Sequence, residues 1–101
     1  MRRYSLTTEA QLDLKQIRDY VLEESGLKAA RYVVGSIVSG FRAVTRTPEQ
    51  GHRREDLTKR KELRFWPVFS YLIVYRTDQK PLCIVAVFHA KRDVERLLAQ
   101  R

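Results

Sequence analysis

The first half of the chain carries apolar residues at helical spacing. Residues 3–6 alternate between polar and apolar side chains, which predicts a short opening strand. Apolar residues then recur every three or four positions over residues 10–21, which predicts an amphipathic helix that ends at Ser25-Gly26. A second stripe over residues 30–44 predicts another helix, which Thr47-Pro48 ends. Because very few residues join the two helices, we expect an antiparallel hairpin.

Two glycines interrupt the second predicted helix. Gly35 and Gly40 each cost about 1 kcal/mol relative to alanine in a helix interior. A glycine also allows a neighbouring element to approach the helix backbone closely. We therefore expect both glycines to face an element that packs tightly against this helix.

The second half of the chain has the pattern of strands. Residues 63–66 mark one strand, which we expect Pro67 to break. Residues 69–75 predict the next strand, and Thr77-Asp78-Gln79-Lys80 predicts a hairpin turn. Residues 82–88 are seven consecutive apolar residues, the pattern of a strand buried on both faces.

A short tail helix completes the chain, with Val94, Leu97 and Leu98 as its apolar positions and Asp93 as its N-cap or as an ion-pair partner. The predicted order is β-α-α-β-β-β with a short C-terminal helix. This order predicts an α+β fold, in which the helical hairpin packs on one face of a small, mainly antiparallel sheet. Without repeats or linkers, the sequence predicts a single domain over residues 1–101.

The second face of the sheet needs a cover of its own. Residues 69–75 and 82–88 are apolar on both faces, yet one helical hairpin covers only one face. The other face must be covered by the tail helix, by a second chain, or by nothing. Since exposed apolar patches of roughly several hundred Å² mark partner sites, we expect a tight protein partner across the sheet.

Charge is distributed unevenly along the chain. The net charge is +8, and residues 46–101 contribute +6 of it, with thirteen basic residues against seven acidic ones. The excess is densest over residues 53–64. Such a patch indicates an anionic partner, such as nucleic acid or an acidic protein, although a solvated basic loop has the same composition.

The sequence also bears on the compartment. The N-terminal Met1-Arg2-Arg3 has no apolar segment behind it, so we expect no signal peptide, and no apolar stretch reaches the ~20 residues that span a bilayer. The single Cys83 lies within an apolar run and has no partner for an intramolecular disulfide. We therefore expect a cytoplasmic protein without a membrane partner.

His89 is the best candidate for proton chemistry, because it stands at the end of the apolar strand beside Lys91 and Arg92. His52 lies in the basic loop and is a weaker candidate. Two distant histidines and one cysteine do not resemble a metal site, and no phosphate-binding or hydrolase motif is present, so we expect no metal and no cofactor.

Other side chains suit binding. Three cations are the best candidates for contacts to phosphate or to an acidic patch: Arg60, Lys61 and Arg64. Three aromatic residues either stack on nucleic-acid bases or belong to the core or interface of the sheet: Trp66, Tyr71 and Tyr75.

Nearly the whole chain resembles the ParE branch of the ParE/RelE toxin superfamily of bacterial type II toxin–antitoxin pairs. The resemblance lies in the order and spacing of short motifs: Tyr4-x-Leu6-Thr7, Ala10-x-x-Asp13-Leu14-x-x-Ile17-x-x-Tyr20, Pro48-x-x-Gly51, Arg53-x-x-Asp56-Leu57, Arg64, Tyr71-x-Ile73-x-Tyr75 and Val87-Phe88-His89-x-x-Arg92-Asp93.

The resemblance implies a toxin that an adjacently encoded antitoxin, ParD-like or of another class, neutralises by wrapping over it, while only the antitoxin binds operator DNA. ParE-like toxins bind DNA gyrase and stabilise its cleaved-DNA state, without catalytic residues of their own. The implied target-binding residues are Arg60, Lys61, Arg64, His89 and Arg92. The implied antitoxin-binding residues are Trp66, Tyr71, Ile73 and Tyr75.

The resemblance leaves one alternative. RelE-like members cut mRNA on the ribosome without a metal, using basic residues and an acid/base residue. Under that alternative His89, Arg64 and Lys91 would be catalytic. The central strands hold few basic residues beyond Arg64 and Arg76, which favours the gyrase interpretation.

Overall fold

The computed structural model describes residues 3–101, so Met1 and Arg2 of the N-terminal segment lie outside the described residues. The elements follow the predicted order: β1 (Tyr4–Leu6), α1 (Thr8–Ser25), α2 (Leu27–Arg46), a 3-10 turn (Pro48–Gln50), β2 (Leu63–Val68), β3 (Tyr71–Arg76), β4 (Leu82–His89) and α3 (Val94–Ala99). The α+β fold class is confirmed. Within residues 3–101, no helix is long and apolar enough to cross a membrane.

The ends of the helices follow from local chemistry. The Thr7 hydroxyl accepts a hydrogen bond from the Ala10 amide at 3.0 Å and so caps α1. The same hydroxyl lies 3.2 Å from the carbonyl oxygen of Val85, to which it donates, and this contact fixes the start of α1 against β4. Gly26, at φ 90°, separates α1 from α2 in a conformation that side chains other than glycine rarely adopt.

The sheet has the strand order β1-β4-β3-β2, in which β1 runs parallel to β4 and the other neighbours are antiparallel. Pro67 does not break β2, because it pairs with Leu72 in the ladder. β2 is an edge strand, where a residue without an N–H group is tolerated. Phe69 is not part of β3, since it occupies the β2–β3 turn at φ 55° with an exposed ring.

Both faces of the sheet are covered by the chain itself. On one face, α1 and α2 pack over a core centred on Ile37, Phe41 and Ile73. On the other face, α3 and the loop that follows the 3-10 turn cover a second core. Its buried members are Leu63, Phe65, Leu72, Val74, Val85, Ala86, Phe88, Val94 and Leu98. The expectation of a bare sheet face awaiting a partner is therefore wrong, because Val94, Leu98 and Leu57 fill the place we assigned to a second chain.

The two glycines of α2 have different surroundings. A Cβ atom on Gly40 would lie 2.8 Å from Cδ1 of Ile73 and 2.9 Å from Cγ2 of Val68, so close packing against the sheet is confirmed there. A Cβ atom on Gly35 would meet nothing within 4 Å, so the expectation is wrong at that position.

This difference gives a matched pair of variants. Gly35→Ala is expected to raise the free energy of unfolding by up to about 1 kcal/mol, because it gains helix propensity without a clash. Gly40→Ala is expected to lower it by roughly 1–3 kcal/mol, because overpacking outweighs the same gain. Urea denaturation of both variants measures the difference, and an equal stabilisation by both would contradict the packing described for Gly40.

Candidate functional site

The last strand ends in a tight corner that fixes the histidine. The Ala90 amide donates to the Ser70 carbonyl at 2.7 Å, and the Arg92 amide donates to the His89 carbonyl at 3.0 Å. The Lys91 amide donates to Nδ1 of His89 at 3.1 Å, so the neutral ring carries its proton on Nε2. Asp93 then caps α3 by accepting from the Arg96 amide at 3.3 Å, as the sequence predicts.

A groove of about 360 Å³ lies between α1 and this end of the sheet. We call it the tip groove, and its walls are Asp13, Gln16, Ile17, Tyr20, Tyr71, Val87, His89 and Arg92. The structure thus brings together His89 and Arg92, which we assigned to the target, and Tyr71, which we assigned to the antitoxin. The groove offers hydroxyl, amide, imidazole and guanidinium groups around an apolar floor, a combination suited to binding a polar partner.

Two aromatic side chains shape the walls of the tip groove. The rings of Tyr71 and His89 meet edge-on, with centroids 5.4 Å apart. Burial, and then the neighbouring Tyr20 hydroxyl, raise the pKa of Tyr71, so this phenol stays neutral at physiological pH. Tyr20 itself is 62% exposed, and an exposed tyrosine beside an arginine is typical of protein-binding surfaces.

A buried ion pair between Asp13 and Arg101 fixes one wall of the tip groove. Asp13 accepts two hydrogen bonds from Arg101, at 2.8 and 2.9 Å, and a third from the Val87 amide at 3.0 Å. Arg101 also donates to the Val85 carbonyl at 3.1 Å and lies over the Phe88 ring at 4.8 Å. The hydrogen bonds to Asp13 raise the pKa of the Arg101 guanidinium. Arg101 therefore compensates the charge of Asp13, and the contacts of this carboxylate link α1, β4 and the C-terminal residue.

Sequence reasoning missed the role of Asp13, although a signal was present. Asp13 lies inside the apolar stripe of α1, three positions after Ala10 and one before Leu14. An acidic residue on the buried face of a helix needs hydrogen-bond donors or an opposite charge to compensate its burial. The partner could not be identified, because Arg101 lies 88 positions away in the chain.

The other predicted target-binding residues do not join the tip groove. The guanidinium of Arg64 donates to the carbonyl of Gly51 at 2.9 Å and to that of Glu49 at 3.3 Å, so it braces the loop before β2. Arg60 pairs with Glu62 at 3.1 Å. Lys61 is exposed and lines a separate basic surface.

The three residues of the ribonuclease alternative are also dispersed. Arg64 pairs with Tyr75 at one end of β3, while His89 pairs with Tyr71 at the other end. Tyr71 and Tyr75 are four positions apart on β3, a distance of roughly 13 Å along the strand, and β3 lies between β2 and β4. Lys91 contacts His89 through its backbone amide, which donates to Nδ1 of the imidazole. These positions do not form one acid/base cluster.

The predicted antitoxin-binding residues divide into two groups. Trp66 and Tyr71 are half-buried, and the ring of Trp66 stacks with His52 at 6.4 Å. Ile73 and Tyr75 are fully buried under the helices. The Tyr75 hydroxyl donates to the Pro48 carbonyl at 2.6 Å and accepts from the Gly51 amide at 3.0 Å, which makes it an internal brace. Only Trp66 and Tyr71 of this set have surface to offer a partner.

The helical hairpin on a four-stranded mixed sheet, closed by a short C-terminal helix, defines the RelE/ParE-like fold. A chain in the structure of the chromosomal ParDE toxin–antitoxin system from P. aeruginosa matches this fold with a TM-score of 0.75. The two chains are 20% identical, and the match covers 90% of this chain and 98% of that one.

The particular family follows from the sequence. The family model of the ParE toxin of the type II toxin–antitoxin system parDE matches residues 4–94. The chain therefore belongs to the ParE toxin family, which implies an antitoxin as its partner. No curated protein shows significant sequence similarity to the chain.

Proposed function

We propose that the protein inhibits bacterial growth by binding DNA gyrase in the cytoplasm and stabilising its cleaved-DNA complex. The observation that carries the proposal is the tip groove, where His89 and Arg92 stand beside Tyr20 and Tyr71 on an accessible surface. Arg92 makes no side-chain ion pair among residues 3–101, so its charge is available to an acidic group of the target.

The arrangement favours binding over RNA cleavage. Cleavage without a metal requires a base, an acid and a cationic stabiliser within hydrogen-bond reach of one phosphate. Arg64 is held by backbone carbonyls at the far end of the sheet, and Nδ1 of His89 already accepts from the Lys91 amide. Family membership supports a toxin role, since the matching model is that of the ParE toxin of parDE.

Neutralisation is proposed to come from an antitoxin, ParD-like or of another class, encoded beside this protein. Trp66 and Tyr71 are the antitoxin contacts that we retain, because each keeps part of its ring on the surface. We propose that Tyr71 contacts both the antitoxin and the target, since it lines the tip groove. Such an overlap would make the two partners compete.

A binding comparison separates the two targets. Purified toxin is expected to co-elute with DNA gyrase in gel filtration and to remain unbound when it is sedimented with intact ribosomes. His89→Ala and Arg64→Ala are expected to produce no change in mRNA integrity in a translation extract, because the wild-type protein cuts none. Co-sedimentation with ribosomes together with mRNA cleavage that His89→Ala abolishes would overturn the gyrase proposal.

A further inference from the structure

The loop between the 3-10 turn and β2 forms a concave surface with a pocket of about 260 Å³, and most of the side chains that line it are cationic. We call this surface the loop pocket, and it lies apart from the tip groove. Five of its lining residues are basic: Arg53, Arg54, Lys59, Arg60 and Lys61. Glu55 is the one acidic residue in the lining, so the pocket has a clear excess of positive charge.

Ion pairs within the loop neutralise two of these cations. Arg54 binds Asp56 through two hydrogen bonds, at 3.0 and 2.8 Å, and this contact lowers the pKa of the Asp56 carboxyl. Arg60 pairs with Glu62 at 3.1 Å. Among residues 3–101, the side chains of the other three make no hydrogen bond or ion pair; these are Arg53, Lys59 and Lys61.

Backbone hydrogen bonds and one core contact anchor the loop that carries these three cations. The His52 and Phe65 backbones exchange two hydrogen bonds of 2.8 Å, and the Thr77 amide donates to the Glu62 carbonyl at 3.1 Å. Leu57 packs against the core cluster that includes Val94 and Leu98 of α3, and its amide donates to the Arg54 carbonyl at 2.9 Å. An anchored loop that gathers unpaired like charges repels itself, and this repulsion is relieved when an anion binds.

We infer that the loop pocket binds the phosphate backbone of duplex DNA. Its lining contains no aromatic residue, so it lacks the stacking platform that single-stranded nucleic acids require. Lysine and arginine side chains that contact phosphates, and not the edges of bases, bind DNA independently of its sequence. This inference rests on the proposed function and deepens it: the toxin would grip the DNA that gyrase has cleaved, while operator recognition stays with the antitoxin.

The test compares two variants of equal charge. The loop variant carries Arg53→Gln, Lys59→Gln and Lys61→Gln, and the control variant carries Lys15→Gln, Lys28→Gln and Arg31→Gln on the helical hairpin. All six side chains are exposed, so both variants are expected to fold, which circular dichroism and a thermal melt verify. Fluorescence anisotropy then measures binding to a labelled duplex of about 20 base pairs over a range of salt concentrations.

We expect the slope of log K against log salt to fall in magnitude by about 3 in the loop variant and by less than 1 in the control. Affinity at low salt should fall at least tenfold in the loop variant alone. Equal losses of DNA affinity in both variants would show that binding depends on net charge alone and would overturn the inference. Tighter binding of a single-stranded RNA of equal length would also overturn it.

Gyrase binding in the absence of DNA distinguishes the two proposals. The loop variant is expected to bind gyrase as the wild type does, because the tip groove is unchanged. If the loop variant loses gyrase binding but keeps its affinity for DNA, the loop pocket contacts an acidic protein and the inference fails. If the wild-type toxin binds DNA through the loop pocket but never binds gyrase, the proposed function fails instead.

Discussion

Substituting alanine for Asp13 is expected to lower the free energy of unfolding by about 3–5 kcal/mol. Asp13 is only 8% exposed, and its carboxylate accepts hydrogen bonds from Arg101 and from the Val87 amide. Without it, the largely buried Arg101 guanidinium keeps only its bond to the Val85 carbonyl and loses its carboxylate, and the Val87 amide loses its acceptor. Because domains of this size are stable by only about 5–15 kcal/mol, the loss is a large share of the total.

Urea denaturation of Asp13→Ala measures this loss, and Asp19→Ala is the matched control on the same helix. Asp19 pairs with Arg18 on the surface, where both side chains are more than half exposed, so its loss is expected to cost less than about 1 kcal/mol. A double-mutant cycle with Arg101→Ala should recover part of the cost, since no charge is then left unpaired. Equal stabilities of the two aspartate variants would refute the structural role assigned to Asp13.

The second large effect is expected at the tip groove. Arg92→Glu should weaken gyrase inhibition at least tenfold, a loss of about 1.4 kcal/mol in binding, because it places a repelling charge where we propose an acidic contact. Tyr20→Ala should act in the same direction by removing an exposed aromatic contact. Both residues are exposed, so folding should be unaffected.

Arg31→Glu provides the control for charge, because Arg31 is an exposed arginine on α2 outside the lining of the tip groove. Titration of each variant into a supercoiling reaction gives the concentration for half inhibition. Arg92→Glu should shift this concentration upward, while Arg31→Glu should leave it within about twofold. If both arginine variants shift it equally, the tip groove has no special role and net charge alone drives binding.

The elements that depend on nearby residues could be predicted from the sequence. The apolar stripes, together with Thr7 and Gly26, define α1 and α2, because caps and helical spacing act within a few positions. The course of β2 through Pro67 could not be predicted, because edge position is a property of the whole sheet. Similarly, Phe69 continues an alternating pattern but occupies a turn.

Only part of the tip groove could be predicted from the sequence, because the rest depends on residues that are distant in the chain. The strand end at His89 and Arg92 was found as a local change from apolar to charged residues. The covering of the second sheet face depends on Leu57 and Leu98, which join one core cluster only after the chain folds. The bond between Asp13 and Arg101 likewise joins the first helix to the last residue described. Long-range pairs of this kind carry no periodic signal.

The most direct measurement is the amount of cleaved DNA that purified gyrase holds as toxin is added. After protease treatment, linear plasmid is quantified for the wild-type protein and for Arg92→Glu at equal concentrations. We expect linear DNA to rise and supercoiling to fall as wild-type toxin is added, and Arg92→Glu to require at least tenfold more protein for the same effect. Uninterrupted supercoiling with no linear DNA at any concentration of wild-type toxin would contradict the gyrase proposal.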